Sequence, residues 1–125
     1  MVVDTSAILA VQFDEALSPW VVGRLRASET EPRMSVVNLT EAFILIRSRR
    51  LADYGELVAD ILRLVRVEPP TLAQAEVAAL ARLRYPLNLG DCFAYALAKE
   101  TDEPLLTLDS DFRSTDIRVI SPPSA

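Results

Sequence analysis

The sequence contains no histidine, a single cysteine (Cys92) and a single lysine (Lys99). Without histidine there is no imidazole base, which excludes Ser-His-Asp and Cys-His catalysis. One cysteine excludes an intrachain disulfide and a structural zinc site of the usual Cys/His type. Lys99 does not stand in a GxxxxGK[ST] context, so a P-loop is not expected. Carboxylates, hydroxyls and arginines remain for chemistry, and carboxylates suit hard cations such as Mg²⁺ or Mn²⁺.

Two further absences concern location. No apolar run reaches the roughly 18 residues needed to cross a bilayer, and the opening Met1-Val2-Val3-Asp4 lacks the basic stretch of a secretory signal. We therefore expect a cytoplasmic protein with no membrane association. The length of 125 residues, 50% hydrophobic and 25% charged, fits one globular domain over 1–125.

The charge balance is acidic, with 18 Asp and Glu residues against 13 Lys and Arg residues and a net charge of −5. This argues against a general nucleic-acid coat protein, which would be basic. It leaves a nuclease possible, because cations can neutralise an acidic site.

Short apolar segments alternate with helical segments along the chain. Strands are predicted at 2–3, 33–37, 66–68, 104–108 and 118–120, and helices at about 7–13, 19–27, 38–50, 53–65, 71–84 and 88–100. The predicted helix-capping residues are Ser18, Asn38, Asp53 and Asn88, and 121–125 is expected to be a tail. This alternation predicts a parallel sheet with helices on both faces.

Five acidic residues fall where predicted strands end or helices begin. Asp4 follows the first strand, and Asp109 and Asp111 follow the strand at 104–108. Glu41 and Asp91 are predicted in the first turn of their helices. Ligands of open parallel sheets bind beyond the carboxyl ends of the strands, so these acids are expected to converge at one edge.

Each acid also has a purely structural interpretation. Asn38–Glu41 and Asn88–Asp91 have capping-box spacing. Asp4 has the position of an N-cap, and Asp109 and Asp111 are typical turn residues. The whole set is harder to explain in this way, because clustered carboxylates raise one another's pKa and a bound cation offsets that cost. One or two hard cations would also activate a water and stabilise a charged phosphorane.

Four segments in this order are similar to a known family: MVVDTSAILA at 1–10, SVVNLTE at 35–41, LNLGDCFAYALA at 87–98 and PLLTLDSDF at 104–112. Together they resemble PIN-domain proteins, especially the VapC-type toxins of bacterial toxin–antitoxin pairs. The resemblance covers essentially the whole chain.

The resemblance implies a three-layer α/β/α sandwich with a central, mainly parallel sheet, and a homodimer. It implies an Mg²⁺- or Mn²⁺-dependent endoribonuclease acting on RNA, commonly tRNA or rRNA, with a cognate VapB-like antitoxin that covers the active site. Carried onto this sequence, it implies a catalytic and metal-binding quartet of Asp4, Glu41, Asp91 and Asp109. Thr5, Ser6 and Asp111 are implied in supporting roles.

Three arginines end the helix that contains Glu41: Arg47, Arg49 and Arg50. They either complement the helix dipole in solvent or contact RNA phosphates. Cys92 is expected to be a small core residue. Trp20 and Tyr95 are expected to pack in the core rather than stack on bases.

Two other functions compete. A haloacid-dehalogenase-like phosphatase would need an acid two residues after Asp4, where Ser6 stands, and a receiver domain would need a lysine after a late strand. The remaining alternative is a non-catalytic PIN-like module that binds RNA or a partner protein.

Overall fold

The computed structural model describes residues 1–123, so the last two residues of the predicted tail lie outside the described chain. The strands are β1 (Val2–Val3), β2 (Arg33–Ser35), β3 (Arg66–Glu68), β4 (Leu105–Leu106) and β5 (Val119–Ile120). The α-helices are α1 (Thr5–Gln12), α2 (Ser18–Arg26), α3 (Val36–Arg49), α4 (Tyr54–Leu64), α5 (Leu72–Arg84) and α6 (Leu89–Thr101). Short 3₁₀ turns cover Leu51–Asp53 and Ser110–Ser114.

The five strands form one sheet in the order β3-β2-β1-β4-β5, and every pair is parallel. Val2 lies beside Arg33 on one side and Leu105 on the other, so β1 is the central strand. The chain builds the sheet outward from β1 to β3 and then returns to place β4 on the other side of β1. The topological switch point, where such sheets bind ligands, is therefore between β1 and β4.

Alternate residues of the central strands face two different cores. Val3 and Leu106 belong to a core with α1, α2, α3 and α4. Val2 and Leu105 belong to a second core with α5 and α6. Because successive side chains of a strand point to opposite faces, this division gives the three-layer α/β/α sandwich that was predicted. Cys92 and Tyr95 are buried in the second core, as expected.

Several predicted boundaries were wrong. Helix α2 begins at Ser18, and its N-cap is Leu17, with no side-chain capping bond. Asp53 stands at the N-cap of α4 but does not cap it, because its carboxylate pairs with the Arg50 guanidinium. β2 ends at Ser35 rather than at 37, and β4 is limited to two residues. Between residues 1 and 123 there is no helix long and apolar enough to span a bilayer.

Candidate active site at the carboxyl edge of the sheet

Asp4 leaves β1 directly into α1 and caps that helix. Its backbone is extended, and its Oδ1 accepts a hydrogen bond from the Ala7 amide at 3.2 Å. The structural interpretation of Asp4 as an N-cap is therefore confirmed. The same position places the carboxylate at the switch point, 3% exposed, beside the end of β4. Asp4 therefore both caps α1 and belongs to the candidate site.

Two hydroxyls hold the Asp4 carboxylate. Ser6 donates to Oδ1 at 2.7 Å, and Thr107, the residue after β4, donates to Oδ2 at 2.6 Å. Each hydroxyl has one proton, so both protons are used on this carboxylate. The hydroxyl oxygens in turn accept from backbone amides: Ser6 from Leu108 at 3.0 Å and Thr107 from Asp109 at 2.9 Å. The ends of β1 and β4 are thus joined through a single acidic group.

Burial raises the pKa of Asp4 from 3.8 to about 6. The bonds from Thr107, Ser6 and Ala7 favour the ionised form and partly oppose this effect, while the nearby charge of Asp109 adds to it. Asp4 is therefore a buried acid with a destabilised charge, and none of the ion pairs formed within residues 1–123 involves it.

Glu41 lies in the second turn of α3, not in the first turn as predicted. The helix starts at Val36 because Ser35 accepts a hydrogen bond from the Val37 amide and so caps it three residues earlier than Asn38. Freed from capping, Asn38 is buried and donates to Glu41 Oε1 at 3.1 Å. Thr5 donates to the same oxygen at 2.8 Å. Thr5 therefore supports Glu41, whereas Ser6 supports Asp4.

Asp91 lies in the first turn of α6, where it forms the predicted capping box with Asn88. The Asp91 amide donates to Asn88 Oδ1 at 2.8 Å, and the Asn88 amide donates to Asp91 Oδ2 at 3.2 Å. Burial raises the pKa of Asp91 to about 6, and the charges of Asp109, Asp4 and Glu41 add to the rise. The charges of the other three quartet acids thus all disfavour the ionised form of Asp91.

Asp109 and Asp111 occupy the turn after β4 but differ in their surroundings. Asp109 is partly buried, and its charge raises the pKa of both Asp4 and Asp91. Asp111 is exposed, and its amide donates to Asp109 Oδ1 at 2.9 Å. Asp109 therefore belongs to the acidic group and also caps the turn, while Asp111 contributes only its backbone amide to that cap.

The donor set suits a hard cation, although the four carboxylates do not converge on one point. Between residues 1 and 123, no three His, Cys, Asp or Glu side chains stand in a ligand arrangement. Each acid is turned onto local hydrogen-bond donors instead. None of the ion pairs in the described chain involves a quartet acid, so their charges lack compensation by protein cations. Oxygen ligands with uncompensated charge are what Mg²⁺ and Mn²⁺ require.

The three arginines at the end of α3 each have a local partner. The Arg47 guanidinium lies 4.0 Å from the centre of the Tyr54 ring, and that of Arg49 lies 5.2 Å from the Phe13 ring. Arg50 pairs with Asp53. These contacts support the structural interpretation, and an RNA contact stays a prediction.

Two residues of this site, Thr107 and Gly90, were not identified from the sequence. Asn38 was identified only as a cap, and its bridging role was missed. Thr107 is a polar residue within an apolar strand segment, and that interruption was the available signal. Gly90 lies in the first turn of a helix, where glycine costs stability. A glycine at such a position indicates that another group approaches the backbone closely, and that was the available signal.

Comparison with known proteins identifies the family of the chain. The model of the PIN domain matches residues 1–118. The chain therefore belongs to the PIN-domain family.

More specific similarity is to proteins named VapC. The chain is 38% identical to Ribonuclease VapC42 of Mycobacterium tuberculosis, over 94% of this chain and 97% of that protein. It is 36% identical to Ribonuclease VapC of Mycolicibacterium smegmatis, over 96% of this chain and 99% of that protein.

Solved structures share the fold. VapC20 of M. tuberculosis, a sarcin–ricin loop cleaving toxin, matches with a TM-score of 0.81 at 21% identity, over 97% of this chain and 98% of that one. A toxin–antitoxin complex from Klebsiella pneumoniae matches with a TM-score of 0.79 at 20% identity, over 99% of this chain and 98% of that one.

Proposed function

We propose that this chain is an Mg²⁺- or Mn²⁺-dependent endoribonuclease and the toxin of a type II toxin–antitoxin pair. The observation that carries the proposal is the electrostatic repulsion near the switch point of the sheet, where the charges of Asp109, Asp4 and Glu41 help to raise the pKa of Asp91 to about 6. A fold retains such repulsion where a cation offsets it. The similarity to proteins named VapC ribonuclease supports RNA as the substrate class.

The quartet acids are the proposed metal ligands and catalytic residues. When bound, a divalent cation supplies an acidified water and neutralises charge on the phosphodiester. Ser6 and Thr107 orient the Asp4 carboxylate, and Thr5 orients Glu41. Asp111, exposed beside Asp109, is proposed to support the site through the turn. A structured RNA such as tRNA or rRNA is the expected substrate.

The proposal includes two protein partners and a location. A VapB-like antitoxin is proposed to cover the acidic site, in keeping with the similarity to a toxin–antitoxin complex. A second copy of the chain is proposed as a homodimer partner. Three leucines of α5 that are 61–88% exposed, Leu72, Leu80 and Leu83, support a protein interface. An RNA substrate and an antitoxin fit a cytoplasmic protein folded as a single domain over 1–125.

The test is RNA cleavage by the purified chain with Mn²⁺, with Mg²⁺ and with chelator. Asp4→Asn, Glu41→Gln and Asp91→Asn should each reduce cleavage at least 100-fold, because each removes a ligand charge but keeps its shape. Glu15→Gln, an exposed acid beyond the far end of α1, is the control and should cleave like the wild type.

The outcomes separate the two functional classes. Cleavage that needs the cation and all three acids supports the proposal. Wild-type cleavage by two of the three variants would refute the acidic site. Binding of RNA without cleavage under any cation would indicate the non-catalytic module instead.

A further inference from the structure

The Glu41 carboxylate lies directly against the backbone of Gly90. A Cβ atom built on Gly90 would overlap Oε2, Oε1 and Cδ of Glu41. Gly90 is buried, and it immediately precedes Asp91 in the first turn of α6. The absence of a side chain at position 90 therefore makes room for the acid of another helix.

Asn38 fixes this contact from the other side. Its buried Nδ2 donates to Glu41 Oε1 at 3.1 Å and to the Gly90 carbonyl at 3.0 Å. Both partners are acceptors, so the amide orientation is determined, and the side chain uses both of its N–H groups. One amide thus links α3 to the first turn of α6.

The two oxygens of Glu41 have different surroundings. Oε1 accepts from Asn38 and from Thr5. Oε2 accepts from no residue of the described chain and is the atom that a Cβ at Gly90 would approach most closely. An open surface cleft lined by Val37, Thr40, Leu89, Glu41 and Gly90 lies alongside. The position of the whole carboxylate, including this free oxygen, therefore depends on the missing side chain of Gly90.

We propose that Gly90 and Asn38 are positioning residues for Glu41: the missing side chain and the amide bridge together set the spacing between Glu41 and Asp91 for a divalent cation. This inference rests on the function proposed above. Residues that orient metal ligands typically affect metal affinity by about 10- to 100-fold.

The decisive variant is Gly90→Ala, because its effect on metal binding should be much larger than its effect on folding. The overlapping atoms are the end of a flexible side chain, so the fold can accommodate the methyl group by moving Glu41. That movement weakens the hydrogen bonds from Thr5 and Asn38 to Glu41, whereas alanine favours the helix by at most roughly 1 kcal/mol. The two effects oppose each other, so the melting temperature with chelator should change by only a few degrees. The Mn²⁺ dissociation constant, measured from the electron paramagnetic resonance signal of free Mn²⁺, should increase about 10-fold or more.

Gly55→Ala is a matched control. Gly55 is also the second residue of its helix, α4, and a Cβ there meets nothing within 4 Å. This variant should gain helix stability without any change in Mn²⁺ binding.

A second set of variants tests the same positioning role without relying on Gly90→Ala alone. Glu41→Asp withdraws the carboxylate by one methylene, so the effect of Gly90→Ala on the dissociation constant should be smaller in that background. Asn38→Ala, which removes the bridge, should also weaken Mn²⁺ binding.

The possible outcomes distinguish a failure of the proposed metal site from a failure of the positioning role of Gly90. A wild-type chain that binds no Mn²⁺ would refute the proposed metal site and this inference with it. Mn²⁺ binding by the wild type and equally by Gly90→Ala would overturn only the positioning role. A large fall of the chelator melting temperature in Gly90→Ala, with additive effects on Mn²⁺ binding in the double variant, would show that Gly90 is merely structural.

Discussion

Neutralising Asp4 should stabilise the metal-free protein at neutral pH. The pKa of Asp4 rises from 3.8 to about 6 on folding, mainly through burial. An acid with a raised folded pKa binds protons more readily in the native state. Its ionisation therefore lowers the free energy of unfolding as the pH rises from about 4 through 6, and the full penalty is present above 6. Asp4→Asn removes this penalty because the amide does not ionise.

The magnitude follows from the size of the pKa change. Each unit of pKa corresponds to about 1.36 kcal/mol, so the ionised Asp4 costs on the order of 3 kcal/mol at pH 7.5. Asparagine caps helices about as well as aspartate, but its NH₂ group replaces an acceptor that faces the Thr107 hydroxyl. Losing that hydrogen bond cancels about 1 kcal/mol or more of the stabilisation. We expect a net stabilisation of about 1–2 kcal/mol, or roughly 4–8 °C in melting temperature.

The assay is a thermal melt with chelator at pH 7.5 and at pH 5, on the wild type, Asp4→Asn and the control Glu15→Gln. At pH 5 the native wild type keeps most of the Asp4 proton and the ionisation penalty falls to about half, so the net advantage of Asp4→Asn should largely disappear. With Mn²⁺ the order at pH 7.5 should reverse, because only the wild type gains the full stabilisation by bound cation. An Asp4→Asn variant that melts below the wild type with chelator at both pH values would refute this reasoning.

Three further predictions concern neighbouring groups. Asp109→Asn should reduce RNA cleavage more than Asp111→Asn, since only Asp109 is electrostatically coupled to the other acids; the reverse order on one RNA would exchange their roles. Thr107→Val should lower the free energy of unfolding by about 1–3 kcal/mol at pH 7.5, because the Asp4 carboxylate loses a buried donor. Chemical denaturation should show a smaller loss at pH 5 than at pH 7.5. An equal loss at both pH values would contradict the role of Thr107 as a donor to the ionised carboxylate. Asp116→Asn should cost less than about 1 kcal/mol at pH 7, since its partly exposed pair with Lys99 is screened. Hydrogen bonds from Lys99 and Tyr95 lower the pKa of Asp116 to about 2, so the cost should decrease between about pH 4 and pH 2 in urea titrations. A cost at pH 2 equal to that at pH 7 would contradict this pairing.

Much of the fold could be predicted because its signals are local. The alternation of apolar strands and helical segments gave an all-parallel sheet with helices on both faces. Asn88 and Asp91 form the capping box that their spacing indicates, and Thr71 accepts from the Gln74 amide at the start of α5. These features depend on residues within one helical turn of each other, which a sequence pattern can register.

The errors arose where a local pattern had two solutions. Asn38-x-x-Glu41 has the same spacing as the capping box at Asn88, but Ser35 starts α3 earlier and leaves Asn38 inside the protein. Once α6 packs beside α3, the Asn38 amide gains the Gly90 carbonyl as a partner 52 residues away. Nothing within a helical turn of Asn38 encodes that partner, so only the tertiary structure reveals the bridge.

The structural and functional interpretations of the acids are compatible, because each structural contact uses specific carboxylate oxygens. Asp91 caps through Oδ2, Asp109 caps its turn through Oδ1, and Glu41 is held through Oε1. In the described chain, the second oxygen of each of these three acids accepts no hydrogen bond. Asp4 uses both oxygens, but two of its three donors are hydroxyls, which can rotate. Capping therefore fixes the direction of each carboxylate while leaving an oxygen, or a movable donor, for a cation. Ligands oriented by the fold in this way lose little side-chain entropy when a cation binds.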